Sequence, residues 1–368
     1  MLSGFKASVQ NELNAFFAHL ANQADLLRAV SAQAFSKARR NFSHQAFAAL
    51  NTRLLALMGE HLPMPRWHGL RVVAADASKL RLFLQDATAR QVREAVAFAL
   101  YLPGLEMTLA ARLYGPATGE RQMLFEHLEC LAPDDLLVLD RGYPSRWLIA
   151  LLAQRGIAFC MRADDSGFAA VKAFLRSGSA ETVVDLGAPD ARDCADYGCK
   201  PTPTRVRLVR VVTPNGRVHG VITSLLDTAM YPAAAFADLY HSRWRIEEAF
   251  KRLKHRLALE NTSGLSWLAA QQDFGAKVLA DNLHALAVLE AAGAEKVADD
   301  YRINRTYAFA HLKRCLPRWL LRCVPGDQEI AAVFAELAHN VIRFVQGTTK
   351  PRPPHPKPHR KHAYKSTC

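Results

Sequence analysis

The run LLVLDRGYPSRWLIALLAQRGIAFCMRA (136–163) contains a strand, a helix and a second strand in sequence order. Residues 136–140 are an apolar run bounded by PDD and RG, which predicts a buried strand. Residues 145–156 carry apolar side chains at helical spacing and end at Gly156, and residues 157–163 again predict a strand. Because this order is typical of α/β structure, the run predicts a sheet with helices packed on it.

The segment before this run adds strands to the predicted sheet. LRVVAAD (70–76) is short and rich in β-branched residues, KLRLF (79–83) alternates polar and apolar residues, and EMTLAARLY (106–114) predicts a third strand. RQMLFEHLECL (121–131) predicts a helix. Together with the run at 136–163, these elements make a mixed α/β order.

Helices are predicted towards both ends of the chain, with a β-rich region between them. Apolar residues at helical spacing predict helices within 5–60, one long helix over about 232–259, and two or three more within 264–345. Between 164 and 225, two alternating runs flank Asn215-Gly216, which predicts a hairpin with its turn at this dipeptide.

The charge of the chain favours a polyanionic partner. The sequence has 47 Lys and Arg against 34 Asp and Glu, which gives a formal net charge of +13. A balance this basic points to nucleic acid or an anionic membrane, and a basic but solvated surface is the alternative. No apolar run reaches the roughly 18 residues of a membrane span, so nucleic acid is favoured and a membrane partner is not expected.

The cysteines indicate a cytoplasmic protein. There are seven, an odd number at irregular spacing, and the first residues MLSGFKASVQNEL lack the apolar core of a secretory leader. We therefore expect reduced thiols in a cytoplasmic protein.

The segment YHSRWRIEEAFKRLKHRL (240–257) predicts a helix with one carboxylate among cations. At about 100° per residue, four residues of this segment fall within a sector of roughly 60°. They are Tyr240, Arg243, Glu247 and Lys254. The adjacent Glu248 points away from them. The helix alone fits an amphipathic surface helix with one i,i+4 pair, Arg243–Glu247, better than it fits an active site.

Two further carboxylates favour the active-site interpretation. Asp76 and Asp140 each end a predicted apolar strand, and active sites of open α/β sheets collect at strand ends. If the two strands are neighbours, the aspartates lie side by side, which is costly unless a cation lies between them. With Glu247 over the same spot, three carboxylates would hold two Mg²⁺ ions, as phosphodiester chemistry requires. The alternative is that each aspartate is a turn or cap residue.

These residues resemble those of a known family. Tyr240-x2-Arg243-x3-Glu247-x6-Lys254 resembles the Y-x2-R-x3-E-x6-K motif of DDE transposases of the IS-four insertion-sequence group. DRGY (140–143) is similar to the second-aspartate motif of that group. RVVAADASKLRL resembles its first-aspartate region, with Ala77 where glycine is usual.

The resemblance implies an RNase H-like catalytic core that is interrupted by a β-rich insertion. The expected regions follow in chain order. They are a helical DNA-binding region at 1–62, a catalytic core split between 68–163 and 226–290, a β-rich insertion at 164–225, a C-terminal helical region at 291–345 and a basic disordered tail at 346–368.

The resemblance also implies the chemistry. Asp76, Asp140 and Glu247 would be catalytic metal ligands for two Mg²⁺ ions, which Mn²⁺ can replace. Such transposases bind double-stranded transposon-end DNA as homodimers, cut it and join the 3′ ends to target DNA. In the same family Tyr240, Arg243 and Lys254 would contact phosphates that flank the cut. We expect the bacterial protein to be cytoplasmic and associated with the nucleoid when it is bound to DNA.

Other basic residues are candidates for DNA contact. The cluster Lys37, Arg39 and Arg40 lies in the helical N-terminal region, and the tail at 346–368 is basic and rich in proline. Both are predicted to bind DNA through phosphates, and a role in solubility is the alternative. Two other functions remain open from the sequence: a domesticated DNA-binding protein without cleavage, and an RNase H-like nuclease.

Overall fold

An eight-stranded sheet organises the computed structural model of this chain. The structure describes residues 8–343 apart from 24, 86–89, 166, 213–215, 217, 299 and 322–323, and of Trp244 and Arg256 it describes the backbone only. The residues divide into two compact units. The first contains Thr52–Lys79 and Val96–Phe250, and the second contains the remaining described residues. The tail predicted at 346–368 lies outside the described residues.

The strands are β1 (Arg71–Gln85), β2 (Arg90–Leu102), β3 (Met107–Tyr114), β4 (Asp135–Leu139), β5 (Ala158–Ala163), β6 (Glu181–Leu186), β7 (Thr204–Val212), β8 (Val218–Thr223), β9 (Tyr301–Ile303) and β10 (Val341–Arg343). The helices are α1 (Val9–Ala21), α2 (Ala32–Arg39), α3 (Gln45–His61), α4 (Glu120–Phe125), α5 (Arg146–Gln154), α6 (Ala169–Ser177), α7 (Ala191–Tyr197), α8 (Phe236–Ser242), α9 (Trp244–Arg256), α10 (Trp267–Ala294), α11 (Arg305–Leu321) and α12 (Asp327–His339).

The strand order of the large sheet is β3-β2-β1-β4-β5-β8-β7-β6. β4 is parallel to β1 and to β5, whereas β2 and β3 pair in antiparallel fashion, as do β5 and β8. Every residue of β4 is buried, as expected of a parallel strand that is covered on both faces. With α4 before β4 and α5 after it in the chain, this order confirms the predicted mixed α/β sheet with helices, and it is consistent with an RNase H-like core.

The strands before β4 differ from the prediction. The segments predicted as separate strands at 70–76 and 79–83 are one continuous strand, β1, so Asp76 lies inside this strand and not at its end. Ala77 and Ser78, between the two segments, have small side chains that an extended backbone accommodates. β2 was not predicted, because its eight consecutive buried residues give no period of two, and several are alanines, which favour strands weakly.

The region at 164–225 combines strands and helices. β6, β7 and β8 extend the large sheet beyond β5 in antiparallel pairs, and α6 and α7 lie between them in the chain. The predicted hairpin is present between β7 and β8, with Gly216 at a φ of 76° that favours glycine. Asn215 lies outside the described residues.

The long helix predicted over 232–259 is interrupted. A short 3-10 turn (Ala233–Ala235) precedes α8, and α8 and α9 are separated at Arg243. The backbone N–H of Arg243 donates to Tyr240 O at 3.2 Å, and that of Ile246 donates to Arg243 O at 3.1 Å. These i→i−3 bonds tighten the backbone and break the regular α-helix.

The second unit is largely helical in the part that the structure describes. Helices α1 and α2 agree with the helical N-terminal prediction, and α10, α11 and α12 agree with the two or three helices predicted within 264–345. Within the described ranges no helix combines the length and the apolar character needed to cross a membrane. Five of the seven cysteines lie in the described chain, and all five are free thiols.

Candidate active site

The pairing of β1 with β4 places Asp76 and Asp140 next to each other. Ala74 is the partner of Val138 in this parallel pair, and each aspartate lies two residues further along its own strand direction. Because side chains alternate along a strand, both aspartates are on the face that Ala74 and Val138 share. Asp140 directly follows the last residue of β4, as predicted for a strand-end carboxylate.

Asp140 is held by a tyrosine from α8. Its Oδ1 accepts a hydrogen bond from the Tyr240 hydroxyl at 3.1 Å and another from the backbone N–H of Arg141 at 2.7 Å. Tyr240 is buried, and this burial, with the Asp140 carboxylate adding to it, raises the pKa of the tyrosine well above its ordinary value. The hydroxyl therefore stays protonated and donates to Asp140.

Arg243 is the positive charge among the carboxylates. It is 2% exposed, its Nη2 donates to Glu247 Oε1 at 2.8 Å, and its guanidinium carbon lies 5.7 Å from the centre of the Tyr240 ring. Burial lowers the pKa of Arg243, but Tyr240, Asp140, Glu247 and Asp76 together raise it above its ordinary value. One guanidinium thus interacts with all three predicted metal ligands.

Asp76 is the carboxylate most affected by this environment. Burial, with the negative charges of Glu247 and Glu120 adding to it, raises the pKa of Asp76 to about 7. Arg243 and the backbone N–H of Ala77 act in the opposite direction. A carboxylate with this pKa binds a proton near neutral pH unless a cation replaces that proton.

Glu247 lies in the first turn of α9, on the same side as the aspartates. Its side chain is 40% exposed and forms an ion pair with Arg243. Its negative charge also interacts with Asp76. The neighbouring Glu248 is exposed. The structure therefore brings together five of the predicted site residues: Asp76, Asp140, Tyr240, Arg243 and Glu247.

The donor chemistry of this cluster fits a divalent cation of the hard type. Carboxylate oxygens are the ligands that Mg²⁺ and Mn²⁺ prefer. Two buried polar atoms at the site, Nε of Arg243 and the hydroxyl of Tyr143, have no hydrogen-bond partner among the described residues. In the described chain, no three acidic, histidine or cysteine side chains are close enough together to bind one ion. The carboxylates of the cluster surround the Arg243 guanidinium instead.

The sequence matches a known family over the region that contains this cluster. The family model described as "Transposase DDE domain" matches residues 67–283, more than half of the chain. This chain belongs to the DDE transposase family.

Two individual transposases are similar to this DDE family member, at 26% and 12% sequence identity. "Transposase InsG for insertion sequence element IS4", from Escherichia coli (strain K12), is 26% identical over 241 residues, which confirms the predicted resemblance to the IS-four group. The aligned part covers 62% of this chain and 54% of that relative, so the chain spans about half the length of the curated relative it matches. A cryo-EM structure of the piggyBac transposase synaptic complex with hairpin DNA is 12% identical, with a TM-score of 0.41, and the match covers 76% of this chain and 59% of that chain.

The fourth motif residue of this DDE family member, Lys254, belongs to the second compact unit. It lies near the end of α9 and is partly buried. Burial lowers the pKa of Lys254, and Glu260 acts in the opposite direction.

The predicted DNA contact of Arg39 is contradicted by the position of this residue in the structure. It is 6% exposed, and its guanidinium donates to Gln272 Oε1 at 2.7 Å, to Asp273 Oδ1 at 3.0 Å, to Ala269 O at 2.9 Å and to the Ser263 hydroxyl. With its donors engaged inside the second unit, Arg39 has no exposed group for a phosphate. Lys37 and Arg40 are exposed and stay predicted contacts.

Two residues that the structure places at the site of this DDE family member were not predicted from the sequence. Tyr143 belongs to the DRGY motif but was given no role, and Glu120 precedes the helix predicted at 121–131. The structure begins α4 at Glu120, and the charge of Glu120 reaches both Asp76 and Asp140. The signal for Tyr143 was present, because an aromatic residue three positions after a strand-end aspartate is within reach of the same strand end.

Proposed function

We propose that this DDE family member binds the ends of its insertion sequence and catalyses Mg²⁺-dependent DNA cleavage and strand transfer. One observation carries the proposal: Asp76, Asp140 and Glu247 all interact with the single buried guanidinium of Arg243, within the segment that matches the DDE domain. Three carboxylates around one guanidinium leave an excess of negative charge, which a divalent cation would balance and the phosphates of DNA would not.

Asp76, Asp140 and Glu247 are the residues proposed to hold two Mg²⁺ ions, or Mn²⁺ in their place. When bound, the ions supply activation of the attacking hydroxyl and stabilisation of the leaving oxygen of the phosphodiester.

The other residues of the cluster would position these ligands and the DNA. Tyr240 fixes one oxygen of Asp140 through its hydrogen bond. Lys254 is proposed to contact a phosphate that flanks the cut, where a cation stabilises the charge that develops during transfer. Arg243 is buried and donates to Glu247, so it is proposed to act on the phosphate through its charge, which water screens weakly, and not through a direct contact.

The proposed partners are double-stranded transposon-end DNA, target DNA and a second copy of this chain on the DNA. The net charge of +13 and the exposed Lys37 and Arg40 support binding to a polyanion. The N-terminal region at 1–62 is proposed to recognise the end, and the tail at 346–368 is proposed to add nonspecific affinity.

The test compares binding and cleavage of end DNA by the full chain. Asp140→Asn and Glu247→Gln keep the side-chain shape and remove a charge, so we expect end binding in a gel-shift assay to change little. Cleavage in Mg²⁺ should fall at least about 100-fold, as for the loss of a central electrostatic group of an active site. Glu248→Gln removes the same charge from the neighbouring exposed position and should cleave as the unaltered chain does.

The products separate this proposal from its alternatives. Joined 3′ ends support strand transfer, and hydrolysed ends alone would support a nuclease instead. End binding without cleavage in the unaltered chain would support a domesticated DNA-binding protein. Cleavage near the unaltered rate in either Asp140→Asn or Glu247→Gln would contradict the proposed ligands.

A further inference from the structure

A fourth carboxylate, that of Glu120, lies beside the proposed metal ligands. Glu120 is the first residue of α4, which follows β3 in the chain. A Cβ atom built on Gly142 would be 3.5 Å from Glu120 Oε2, so this oxygen is within van der Waals reach of the loop that follows β4. Asp140 starts that loop. The carboxylates of α4 and β4 thus face the same space.

Arg121 fixes the loop against the start of α4. Its Nε donates to the carbonyl oxygens of Gly142 at 3.1 Å and Tyr143 at 3.0 Å, and its Nη2 donates to that of Pro144 at 3.1 Å. Because the neighbouring residue makes three bonds to the loop, the position of Glu120 relative to Asp140 is set by the fold and not by a mobile side chain alone.

The charge of Glu120 adds to that of the two aspartates. Partial burial and the charge of Asp140 raise the pKa of Glu120, and Glu120 in turn raises that of Asp76. In the described part of the chain the Glu120 carboxylate makes no hydrogen bond or ion pair. The charge of Arg121, whose guanidinium donates to the loop carbonyls, offsets the charge of Glu120 only in part. Three like charges in one neighbourhood favour a cation.

The hydroxyl of Tyr143 is an independent sign of a missing partner. Tyr143 is fully buried, and its hydroxyl has no hydrogen-bond partner among the residues that the structure describes. The same hydroxyl interacts electrostatically with Glu120, Asp76 and Asp140, and with Arg243. Buried polar atoms are almost always paired, so an unpaired hydroxyl that interacts with three carboxylates marks a place where a ligand or its water belongs.

We propose that Glu120 is a fourth carboxylate of the active site, which contributes an oxygen ligand to the divalent cation beside Asp76 and Asp140, and that Tyr143 is the hydrogen-bond donor of the same site. This inference rests on the proposed metal-dependent function and adds two residues to it. Asp76 comes from β1, Asp140 from the end of β4 and Glu120 from α4. In the metal-free chain these carboxylates do not converge on one point, so the cation would draw three different elements together.

The test measures Mn²⁺ binding directly, without DNA and without activity. The free Mn²⁺ signal in electron paramagnetic resonance is followed as the full chain is titrated with the metal. We expect Glu120→Gln to weaken binding about 10- to 100-fold and Tyr143→Phe about tenfold, as for residues that hold or orient metal ligands. Glu60→Gln, which removes the same charge from an exposed position of α3, should leave the affinity unchanged.

The variant Asp140→Asn distinguishes a failure of the Glu120 assignment from a failure of the proposed metal-dependent function. If the unaltered chain binds Mn²⁺ and Asp140→Asn does not, while Glu120→Gln binds as the unaltered chain does, the assignment of Glu120 is overturned and the proposed function stands. If the unaltered chain itself fails to bind Mn²⁺, both are overturned. Should Glu120→Gln not fold, as judged by circular dichroism, Glu120→Asp keeps the charge on a shorter side chain and must still weaken binding. Unchanged affinity in Tyr143→Phe would overturn the role of its hydroxyl.

Discussion

Asp76 has a partly buried carboxylate beside three fully buried neighbours in β1, Val73–Ala75. Loss of water disfavours its charged form, and the carboxylates of Glu247 and Glu120 disfavour it further. The same arrangement that makes the charge costly in the metal-free chain makes a cation favourable there. Stability and metal binding are therefore opposed at this residue.

The pH dependence of stability should reveal this cost. The pKa of Asp76 is about 7 in the folded chain against an ordinary value of 3.8, so the folded chain holds the proton more tightly than the unfolded chain. Between these values the free energy of unfolding falls as pH rises, because the carboxyl ionises in the unfolded chain while it stays protonated in the folded chain. Asp76→Asn removes the carboxyl. We expect its stability advantage, measured by denaturant unfolding in a metal chelator, to be near zero at pH 4 and up to about 4 kcal/mol at pH 8.

A constant difference between Asp76→Asn and the unaltered chain across this pH range would contradict the assignment of this pKa to Asp76. Asp134→Asn serves as the control, because the hydrogen bond from Arg66 lowers the pKa of Asp134, so its contribution has the opposite sign.

Two tyrosines of the site offer a matched pair of substitutions. The hydroxyl of Tyr240 donates to Asp140, whereas that of Tyr143 is buried without a partner in the described chain. Removing an unpaired buried hydroxyl relieves its desolvation, and removing a paired one leaves an acceptor unsatisfied. In the metal-free chain we expect Tyr143→Phe to raise the free energy of unfolding by about 1 kcal/mol and Tyr240→Phe to lower it by about 1 kcal/mol. Equal effects of the same sign would contradict this assignment.

At the scale of elements, local patterns were sufficient for β4, α5 and β5, because the two strands are short apolar runs and the helix has apolar residues at helical spacing. They were insufficient where distant residues decide the structure. The break at Arg243 follows from the burial of one arginine among carboxylates from β1, β4 and α9, which no helical pattern contains. Glu120 joins the site because the connection from β3, at the edge of the sheet, to β4 places the start of α4 beside the loop after β4, and no local pattern contains this contact.

The helix α2 carries the clearest misassignment and a direct test of it. Arg39 and Arg40 are adjacent in a basic cluster, yet Arg39 is buried against residues more than 220 positions away and Arg40 is exposed. Arg39→Ala removes the cation that pairs with the buried Asp273, and we expect a loss of about 3–5 kcal/mol in the free energy of unfolding. Arg40→Ala should change stability by less than about 0.5 kcal/mol.

DNA affinity should separate the two arginines in the opposite way. At a temperature where both variants are folded, Arg40→Ala is expected to weaken end binding and Arg39→Ala to leave it near that of the unaltered chain. A fall in affinity for Arg39→Ala without a loss of stability would return Arg39 to the DNA interface.

For the whole molecule, the excess of 47 basic over 34 acidic residues would promote the proposed encounter with DNA through long-range attraction. Six of the basic residues lie in the tail at 346–368, which contains no acidic residue: Lys350, Arg352, Lys357, Arg360, Lys361 and Lys365. A segment with this composition binds phosphates without reading bases, so it would add affinity to any duplex and not to the ends in particular.

This role predicts a specific dependence on salt. Each phosphate neutralised by a basic residue contributes about 0.9 to the negative slope of log affinity against log salt concentration. A chain that stops at 345 should therefore bind duplex DNA with a slope smaller by up to about 5 than the full chain, measured by fluorescence anisotropy in increasing KCl. Replacing the six basic residues by glutamine at full length should have the same effect, because charge and not length is responsible. If deletion lowered the affinity and left the slope unchanged, the tail would act through contacts other than phosphates, and its basic residues would contribute to solubility instead.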